Sequence, residues 1–284
     1  MNLAIGFFDG VHIGHRRILA GADSVFTFSN HPMTVLDPVH APPMLMDADE
    51  RIAMLAAVGT KVPRAVRAVR FTRQFAAKSP EEFAALLRRE YPGVGRIHCG
   101  GNWRFGANGA GTPATLRSLG FDVKVVRYAR YGDGRVSSTR IRLALAEGEV
   151  GAANAMLGRP FAVTGRVVRG KGVGHSLGAP TINLAVSPPL RFGVYAVDTP
   201  LGPGVANFGV APTMGGRAWK VPMLEVHLLG DSVPSAVRKP RKLRVEFLAF
   251  VRPEMTFASR DALRRQIAAD IGAVGKMLQP ASRK

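Results

Sequence analysis

The chain has 284 residues, 46% of them hydrophobic and one of them a cysteine, and its formal net charge is +19. The length suits one large domain or two ordinary ones, and the composition excludes a disulfide framework, a multi-cysteine zinc site and an apolar membrane span. Basic residues are in excess along the whole chain, which is typical of a protein that binds phosphorylated small molecules or is simply kept in solution by its charge, and less so of a nucleic-acid-binding protein.

The first half of the chain alternates strand patterns with helix patterns. Short apolar runs predict strands at NLAIGFF, DSVFTFSN, VRAVRFT, GRIHCGG and DVKVVRYA. The clearest helix is SPEEFAALLRREYPG, where Ser79 is the predicted N-cap, Pro80 lies in the first turn and Gly93 ends the helix. A last helical stretch, SSTRIRLALAEGEVGAANAML, is predicted to break near Gly148. This alternation predicts a parallel sheet covered by helices up to about residue 157.

The second half has the pattern of an all-β domain. Short, mostly alternating segments, separated by Gly or Pro, occur at FAVTGRVVRG, APTINLAV, FGVYAVDT, GVANFGVAPT, MLEVHLLG and KLRVEFLAFVR. They predict a small barrel or a sandwich. An amphipathic helix follows at SRDALRRQIAADIGAVGKML, with Ser259 as its N-cap. We therefore expect an α/β domain at residues 1–157 and an all-β domain with a terminal helix at residues 158–284.

A turn rich in glycine and histidine, GFFDGVHIGH, separates the first predicted strand from the first helix. Backbone N–H groups in such a turn favour phosphate. His12 and His15 are three residues apart, so both imidazoles can face one phosphate and donate hydrogen bonds as negative charge builds on it. The alternative is that one histidine caps the helix and the other lies on the surface, and this short motif alone does not decide between them.

A second cluster of phosphate-binding groups lies at RVSSTRIR. It offers three hydroxyls at a helix start, flanked by Arg135, Arg140 and Arg142. Hydroxyls, free N–H groups and guanidinium groups together predict a polyphosphate clamp. A capping serine among solvated arginines would explain one hydroxyl but not the whole cluster.

These motifs resemble a known family. GFFDGVHIGH, NHP, NWRFGANGAG and RVSSTRIRLALAEGEVGAANAMLGRPF are similar to the N-terminal module of the bacterial bifunctional riboflavin kinase/FAD synthetase family. The HxGH and SSTxxR pair also resembles the wider nucleotidylyltransferase superfamily. The riboflavin kinase module of the family is similar to GRPFAVTGRVVRGKGVGHSLGAPTINL, FGVYAV, GVANFGVAPT, LEVHLL and LRVEFLAFVRPEMTF. The resemblance covers essentially the whole chain, in order.

The resemblance implies a Rossmann-like nucleotidylyltransferase domain followed by a riboflavin-kinase-type β-barrel. It also implies two reactions: riboflavin and ATP give FMN, and FMN and a second ATP give FAD and pyrophosphate. Riboflavin, FMN and ATP would be the small-molecule partners, and Mg²⁺ the cofactor. The single cysteine and the absence of a signal-peptide pattern favour the cytoplasm, and we expect no membrane partner.

The same resemblance carries site residues over to the first domain. It implies catalytic roles for His12, His15, Asn102 and Arg135. The residues implied to bind ATP are Gly6, Phe7, Asp9, Gly10, Gly14, Ser138, Thr139 and Arg142. Phe28, His31 and Pro32 would border the flavin, although NHP is equally typical of a turn that ends a strand.

In the second domain, the resemblance implies that Thr181 and Asn183 of PTIN hold Mg²⁺, because their oxygens suit an ion that bridges ATP phosphates. Glu225 of LEVHLL would be the general base for the ribityl hydroxyl. Spacing alone favours a solvated strand residue at Glu225. The residues implied to bind ATP are Gly170, Gly174 and Pro180, the glycines as a flexible flap, for which a plain glycine loop is the alternative.

The chain departs from the family pattern at several places. Ala211 and His175 stand where arginine is usual, and Asn30 stands where the family has proline. The segment DSVPSAVRKPRKLRV after Gly230 has five basic residues and no aromatic one. These departures leave open an FMN adenylyltransferase with a degenerate kinase module. A basic nucleic-acid-binding or regulatory protein on this scaffold is less favoured, because phosphate-handling residues occur in both halves.

Overall fold

The computed structural model describes residues 1–169, 179–210, 222–230 and 241–278. The chain divides into two compact units, Met1–Ser138 and Thr139–Lys284. Residues 138–157 form two helices that follow the sheet in the chain and precede the barrel. The predicted domain boundary between residues 157 and 158 stays a prediction.

The first unit is built on a five-stranded sheet. Its strands are β1 (Asn2–Ile5), β2 (Ser24–Phe28), β3 (Ala65–Val69), β4 (Arg96–Gly100) and β5 (Asp122–Val126). All neighbours pair in parallel, in the order β3-β2-β1-β4-β5. The predicted parallel sheet is confirmed. The order reverses between β1 and β4, and ligands of such sheets bind outside the carboxyl ends of the strands at this reversal.

Helices connect the strands of the first unit. They are α1 (Ile13–Leu19), α2 (Met33–Leu36), α3 (Ala48–Ala57), α4 (Arg73–Ala76), α5 (Pro80–Glu90) and α6 (Pro113–Ser118), and a short hairpin follows with strands β6 (Arg130–Tyr131) and β7 (Gly134–Arg135). The predicted cap of α5 is confirmed, since Ser79 Oγ accepts from the Glu82 N–H at 3.2 Å and Glu82 Oε2 accepts from the Ser79 N–H at 2.7 Å. The four-residue helices α2 and α4 were not predicted, because one turn leaves no periodicity in the sequence.

Hydrophobic residues on the two faces of the sheet form separate clusters. Ile5 of β1 belongs to the cluster that contains Phe83 of α5. Ala4, the next residue along β1, belongs to the cluster that contains Leu55 of α3. Because successive strand residues point to opposite faces, helices cover both faces of the sheet.

The second unit begins with helices. Helix α7 (Ser138–Glu147) and helix α8 (Val150–Leu157) are separated at Gly148, which has a φ of 85°. The predicted break is therefore confirmed. The Asn154 side chain in α8 donates to the Phe247 carbonyl at 2.9 Å and accepts from the Phe161 N–H at 2.7 Å, which fixes the helix against the strands that follow.

The second unit contains a closed antiparallel barrel. Its strands are β8 (Phe161–Val168), β9 (Ile182–Ala185), β10 (Gly193–Asp198), β11 (Gly204–Val210), β12 (Pro222–Leu228) and β13 (Lys242–Pro253), in the closed order β10-β11-β12-β9-β8-β13. Of the two predicted alternatives, the barrel is correct. Phe161, Tyr195 and Phe247 fill part of its interior, with ring centroids 5.2–5.8 Å apart.

Helix α9 (Arg260–Leu278) packs on the outer surface of this barrel. Its predicted cap is confirmed, because Ser259 Oγ accepts from the Ala262 N–H at 3.2 Å. Val274 of α9 lies in one hydrophobic cluster with Val194 of β10 and Val205 of β11. Within the described ranges, no helix combines the length and the apolar character needed to cross a membrane.

Candidate active sites

The loop from β1 to α1 has an unusual backbone. Phe8, Gly10 and Val11 have φ values of 60°, 76° and 40°. Such values are rare for a bulky residue and rarer for a β-branched one, and they persist only where the surroundings enforce them. The Asp9 carboxylate provides one such restraint, since its two oxygens accept the Leu45 N–H at 3.1 and 3.2 Å. The loop is therefore held in a strained form at the carboxyl end of β1.

The two histidines of this loop are brought together. His12 caps α1, because its Nδ1 accepts the backbone N–H of His15 at 3.2 Å. The neutral His12 ring therefore carries its proton on Nε2. The two rings stack with their centroids 3.5 Å apart. The capping interpretation is thus correct for His12, and it leaves Nε2 as the donor atom of the ring.

His15 lies in a half-buried position beside Phe8, with ring centroids 5.3 Å apart. Burial lowers the pKa of His15 well below its usual value, and electrostatic interactions with His12 and Arg51 lower it further. Its Nδ1 is buried and has no hydrogen-bond partner among the described residues. The ring is therefore neutral at neutral pH, and a ligand could supply the missing partner.

Two glycines of the motif make room for the rings of the loop itself. A Cβ at Gly14 would lie 3.1 Å from Cε1 and 3.2 Å from Nδ1 of His12. A Cβ at Gly6 would lie 2.9 Å from the Phe8 ring. Gly10 serves differently, because its positive φ favours glycine.

The SST segment is tied to the same loop. Ser138 Oγ donates to the Asp9 carbonyl at 2.9 Å. Thr139 and Arg142 follow in α7, within the second compact unit, and their ATP-binding roles stay predictions.

Tyr128, which was not predicted from the sequence, joins Arg135 to the turn after β4. The Arg135 guanidinium lies over the Tyr128 ring, 5.2 Å from its centroid. The Tyr128 hydroxyl lies 3.4 Å from the place of a Cβ at Gly101, the residue before the exposed Asn102. Arg17 of α1 donates to the Tyr128 carbonyl at 3.1 Å. Tyr128 therefore lies beside both Arg135 and Gly101 of the turn that contains Asn102, and the catalytic roles of Arg135 and Asn102 stay predictions.

The NHP turn follows β2. His31 Nδ1 accepts the Met33 N–H at 3.1 Å, and Pro32 is the residue before α2, so the turn does end the strand. The His31 ring also meets the Phe7 ring edge-on at 4.6 Å, which joins the turn to the loop after β1. The Phe28 ring packs among aromatic rings of the hydrophobic core. The flavin-binding roles of Phe28, His31 and Pro32 stay predictions.

Asn30, where the family pattern has proline, has a structural role. Its amide donates to the Phe71 carbonyl at 3.1 Å and accepts the Phe71 N–H at 2.8 Å. These two bonds join the end of β2 to the segment after β3. A cleft of about 530 Å³ lies beside them and is lined by Ser29, Asn30, Thr34, Val35, Arg70, Phe71, Thr72 and Arg73.

The predicted kinase residues lie on the outer face of the barrel. Asn183 of β9 pairs in register with Glu225 of β12, which pairs in register with Asn207 of β11. Directly opposed residues of antiparallel strands share a face, so the three form one cross-strand row. The neighbours of Glu225, Leu224 and Val226, are fully buried on the other face.

A cavity of about 500 Å³ opens beside this row, between the barrel and α9. Thr181, Asn207 and Glu225 contribute polar groups to its lining. His227, which lines the cavity, has its Nδ1 3.0 Å from the Pro180 carbonyl, and the ATP-binding role of Pro180 stays a prediction. Hydroxyl, amide and carboxylate oxygens are ligands that Mg²⁺ accepts. The described residues contain no cluster of three His, Cys, Asp or Glu side chains fit to hold a metal.

An ion pair between Arg252 and Asp270, which was not predicted from the sequence, also lines this cavity. Arg252 Nη2 lies 2.6 Å from Asp270 Oδ2, and Gln266 Nε2 donates to Asp270 Oδ1 at 2.9 Å. The pair joins β13 to α9. An aspartate on the inward face of an amphipathic helix was the available signal, since such a charge is rarely buried without a partner.

Four parts of the kinase prediction lie outside the described residues. They are Gly170 and Gly174 of the expected flap, His175, Ala211 and the first ten residues, 231–240, of the segment DSVPSAVRKPRKLRV.

Comparisons with known proteins match a different family model to each half of the chain. The FAD synthetase family model matches residues 1–140, and the riboflavin kinase family model matches residues 157–278. Bifunctional riboflavin kinase/FMN adenylyltransferase of Escherichia coli K12 is 36% identical, over 94% of this chain and 90% of the relative. The enzymes of the same name from Pseudomonas fluorescens and Bacillus subtilis are 34% and 30% identical, over 99% and 94% of this chain and 94% and 89% of their own lengths.

A solved structure shares the whole fold. A crystal structure described as a macrolide-efflux protein from Streptococcus pneumoniae matches with a TM-score of 0.81 and 25% identity. It covers 96% of this chain and 93% of that chain. The two family models and the relatives show that the chain belongs to the bifunctional riboflavin kinase/FMN adenylyltransferase family.

Proposed function

We propose that this chain catalyses both reactions of its family: the phosphorylation of riboflavin by ATP to FMN, and adenylyl transfer from a second ATP to FMN, which gives FAD and pyrophosphate. The observation that carries this proposal is the presence of two separate polar sites, the stacked histidines after β1 and the row Asn183–Glu225–Asn207 on the barrel. We assign adenylyl transfer to residues 1–157 and the kinase reaction to residues 158–284. We place both in the cytoplasm, where the buried thiol of Cys99 stays reduced.

In adenylyl transfer, a phosphate oxygen of FMN attacks the α-phosphorus of ATP in line and pyrophosphate leaves. The protein has little covalent chemistry to perform, so positioning and charge stabilisation supply the rate. His12 donates from Nε2, and the neutral His15 places a second imidazole beside it. Three further residues would orient the phosphates: Ser138 at the start of α7, Arg135 of the β6–β7 hairpin and Asn102 of the turn after β4.

In the kinase reaction, the terminal ribityl hydroxyl attacks the γ-phosphorus of ATP and ADP leaves. The Glu225 carboxylate accepts the hydroxyl proton as the new O–P bond forms. Thr181 and Asn183 would hold Mg²⁺, which neutralises charge on the ATP phosphates when bound. The cavity beneath α9 is also lined by the Arg252–Asp270 pair. Its volume is of the size that encloses a flat apolar ring.

A product assay tests the proposal. Purified protein is incubated with ATP and Mg²⁺ and with either riboflavin or FMN, and the flavins are resolved by chromatography. We expect FMN and FAD from riboflavin, and FAD with pyrophosphate from FMN. FAD from FMN with no product from riboflavin would mean a degenerate kinase module, and the absence of both products would overturn the proposal.

The replacement Gly14→Ala is expected to lower FAD formation from FMN by about tenfold, equivalent to about 1.4 kcal/mol of activation free energy. The added methyl group lies within 3.2 Å of the His12 ring and displaces it from its capping position. Steady-state rates check this result. The matched control is Gly151→Ala in α8, where a Cβ meets nothing within 4 Å and the rate should not change. Equal rates for the two variants would contradict the packing argument.

A further inference from the structure

Arg51 of α3 is a fully buried arginine whose guanidinium bridges two strands of the sheet. Its Nη1 donates to the Phe7 carbonyl at 2.5 Å and to Thr27 Oγ1 at 3.0 Å. Its Nη2 donates to the carbonyls of Phe28 and Ser29 at 2.6 and 3.3 Å. Phe7 is the second residue after β1, and Phe28 ends β2. One side chain therefore holds together the carboxyl ends of two neighbouring strands.

The backbone that Arg51 holds leads directly into the strained loop. Phe7 precedes Phe8, whose φ is 60°, and such a backbone persists only where several contacts enforce it. The guanidinium also lies 4.2 Å from the centroid of the Phe7 ring, a cation–π arrangement. Arginine suits this role, because its planar guanidinium presents several donors in fixed directions and keeps its charge when buried.

The Phe7 ring, which Arg51 contacts, and the ring of the next residue, Phe8, each contact a histidine of a different motif. The Phe7 ring meets His31 of the NHP turn at 4.6 Å, and the Phe8 ring meets His15 at 5.3 Å. A shift of the Phe7 backbone would therefore move both contacts. Displacements of about 1 Å in a site that works by positioning cost about 100-fold in rate.

We propose that Arg51 is a positioning residue for adenylyl transfer, which sets the loop of His12 and His15 against the NHP turn. This inference rests on the proposed function, because it assigns the two motifs to the reacting phosphates and the flavin. Arg51 itself touches neither substrate. Its effect is expected in the turnover number, since the guanidinium orders the groups that act on the transition state.

The chain offers a matched control in Arg64, a second buried arginine of the same unit. Its Nε donates to the Ala22 carbonyl at 3.0 Å, and its Nη1 and Nη2 donate to the carbonyls of Val58 and Leu19 at 2.6 and 3.2 Å. Arg64 is thus equally engaged with backbone carbonyls. Leu19 ends α1, four residues after His15, Val58 follows α3 and Ala22 precedes β2, so none of its partners belongs to the His12–His15 turn or to the NHP turn. Loss of either arginine should destabilise the unit, but only Arg51 should alter the chemistry.

The experiment compares Arg51→Lys with Arg64→Lys in the full chain. Lysine keeps the charge but cannot bridge the two carbonyl groups at once. For FAD formation from FMN, we expect Arg51→Lys to lower kcat by about 10- to 100-fold with KM changed by about threefold at most. Arg64→Lys should leave both constants near those of the unmodified protein. FMN formation from riboflavin, measured on the same preparations, reports the amount of active protein.

Two further measurements extend the test, and the first of them replaces the comparison of rates if a lysine variant is unstable. Thr27→Val removes one acceptor of Arg51 with little change in volume, and it should lower kcat in the same direction by about threefold. The histidine ring signals in the NMR spectrum should shift for His15 in the Arg51→Lys protein and not in the Arg64→Lys protein.

Three results would overturn the inference: a normal kcat in Arg51→Lys, equal losses of kcat in the two lysine variants, or unchanged His15 signals. If the unmodified protein forms no FAD from FMN, the proposed function fails and the inference about Arg51 falls with it. Failure of the inference alone leaves FAD formation by the unmodified protein intact.

Discussion

Replacement of His15 by alanine is expected to lower FAD formation from FMN by about 100- to 1,000-fold, the usual effect of removing one group that stabilises charge in a transition state. The ring is stacked on His12, held against Phe8 and carries a buried Nδ1 without a partner among the described residues. FMN formation from riboflavin should continue at the normal rate, because the kinase residues belong to the other unit.

The control for this variant is His40→Ala. The His40 side chain is 76% exposed in the same unit, so its removal should change neither rate. A His15→Ala protein that loses both activities would contradict the assignment of the two reactions to separate sites. A protein that keeps FAD formation would contradict the role of His15.

The lowered pKa of His15 predicts a direction for the pH dependence of stability. Burial favours the neutral ring in the folded state, so the unfolded state binds more protons below the ordinary value of 6.5. The stability contributed by the neutral ring is therefore present above that pH and is lost as the pH falls below it. Urea unfolding between pH 5 and pH 7, about the ordinary range of histidine titration, should show a smaller acid destabilisation in His15→Ala than in the unmodified protein.

Replacement of Glu225 by glutamine is expected to lower FMN formation from riboflavin by about 100- to 10,000-fold, the range for loss of a general base. Glutamine keeps the shape and the register opposite Asn183 and Asn207 but cannot accept the hydroxyl proton. FAD formation from supplied FMN should be unchanged. Chromatography of the flavins, started separately from riboflavin and from FMN, measures both rates.

Glu246→Gln provides the matched control on the same barrel. Glu246 lies on β13, 35% exposed and paired with Arg244 at 3.3 Å, and it does not line the cavity beneath α9. Its replacement should leave FMN formation near normal, since an exposed ion pair contributes little to stability. Normal FMN formation by Glu225→Gln would show that the base is another group.

Much of the fold could be predicted from the sequence, because the relevant signals are local and repeated. The strands of the sheet, the caps at Ser79 and Ser259 and the break at Gly148 each follow from short patterns. The choice between a barrel and a sandwich could not be made, since both give short alternating strands and differ only in which strands pair. Closure of the barrel depends on the pairing of β13 with both β8 and β10, and these two strands are distant from β13 in the sequence.

The candidate sites were predictable only in part. His12, His15 and Glu225 lie in recognisable motifs, whereas Arg51 and Arg252 act through contacts between distant segments. Arg51 follows two acidic residues in the first turn of α3. No local sequence pattern indicates that its side chain is buried against the carbonyls of Phe7 and Phe28. Asn30 is the opposite case, since it departs from the family pattern and the structure gives it two hydrogen bonds to Phe71.

The most direct test of the central claim, that two separate sites in one chain perform the two reactions, is a mixing experiment. His15→Ala and Glu225→Gln proteins are incubated alone and together with riboflavin, ATP and Mg²⁺, and the flavins are quantified over time. The account predicts that His15→Ala alone accumulates FMN, that Glu225→Gln alone forms no product, and that the mixture forms FAD after a lag. A mixture that forms no FAD, or a His15→Ala protein that forms no FMN, would contradict it.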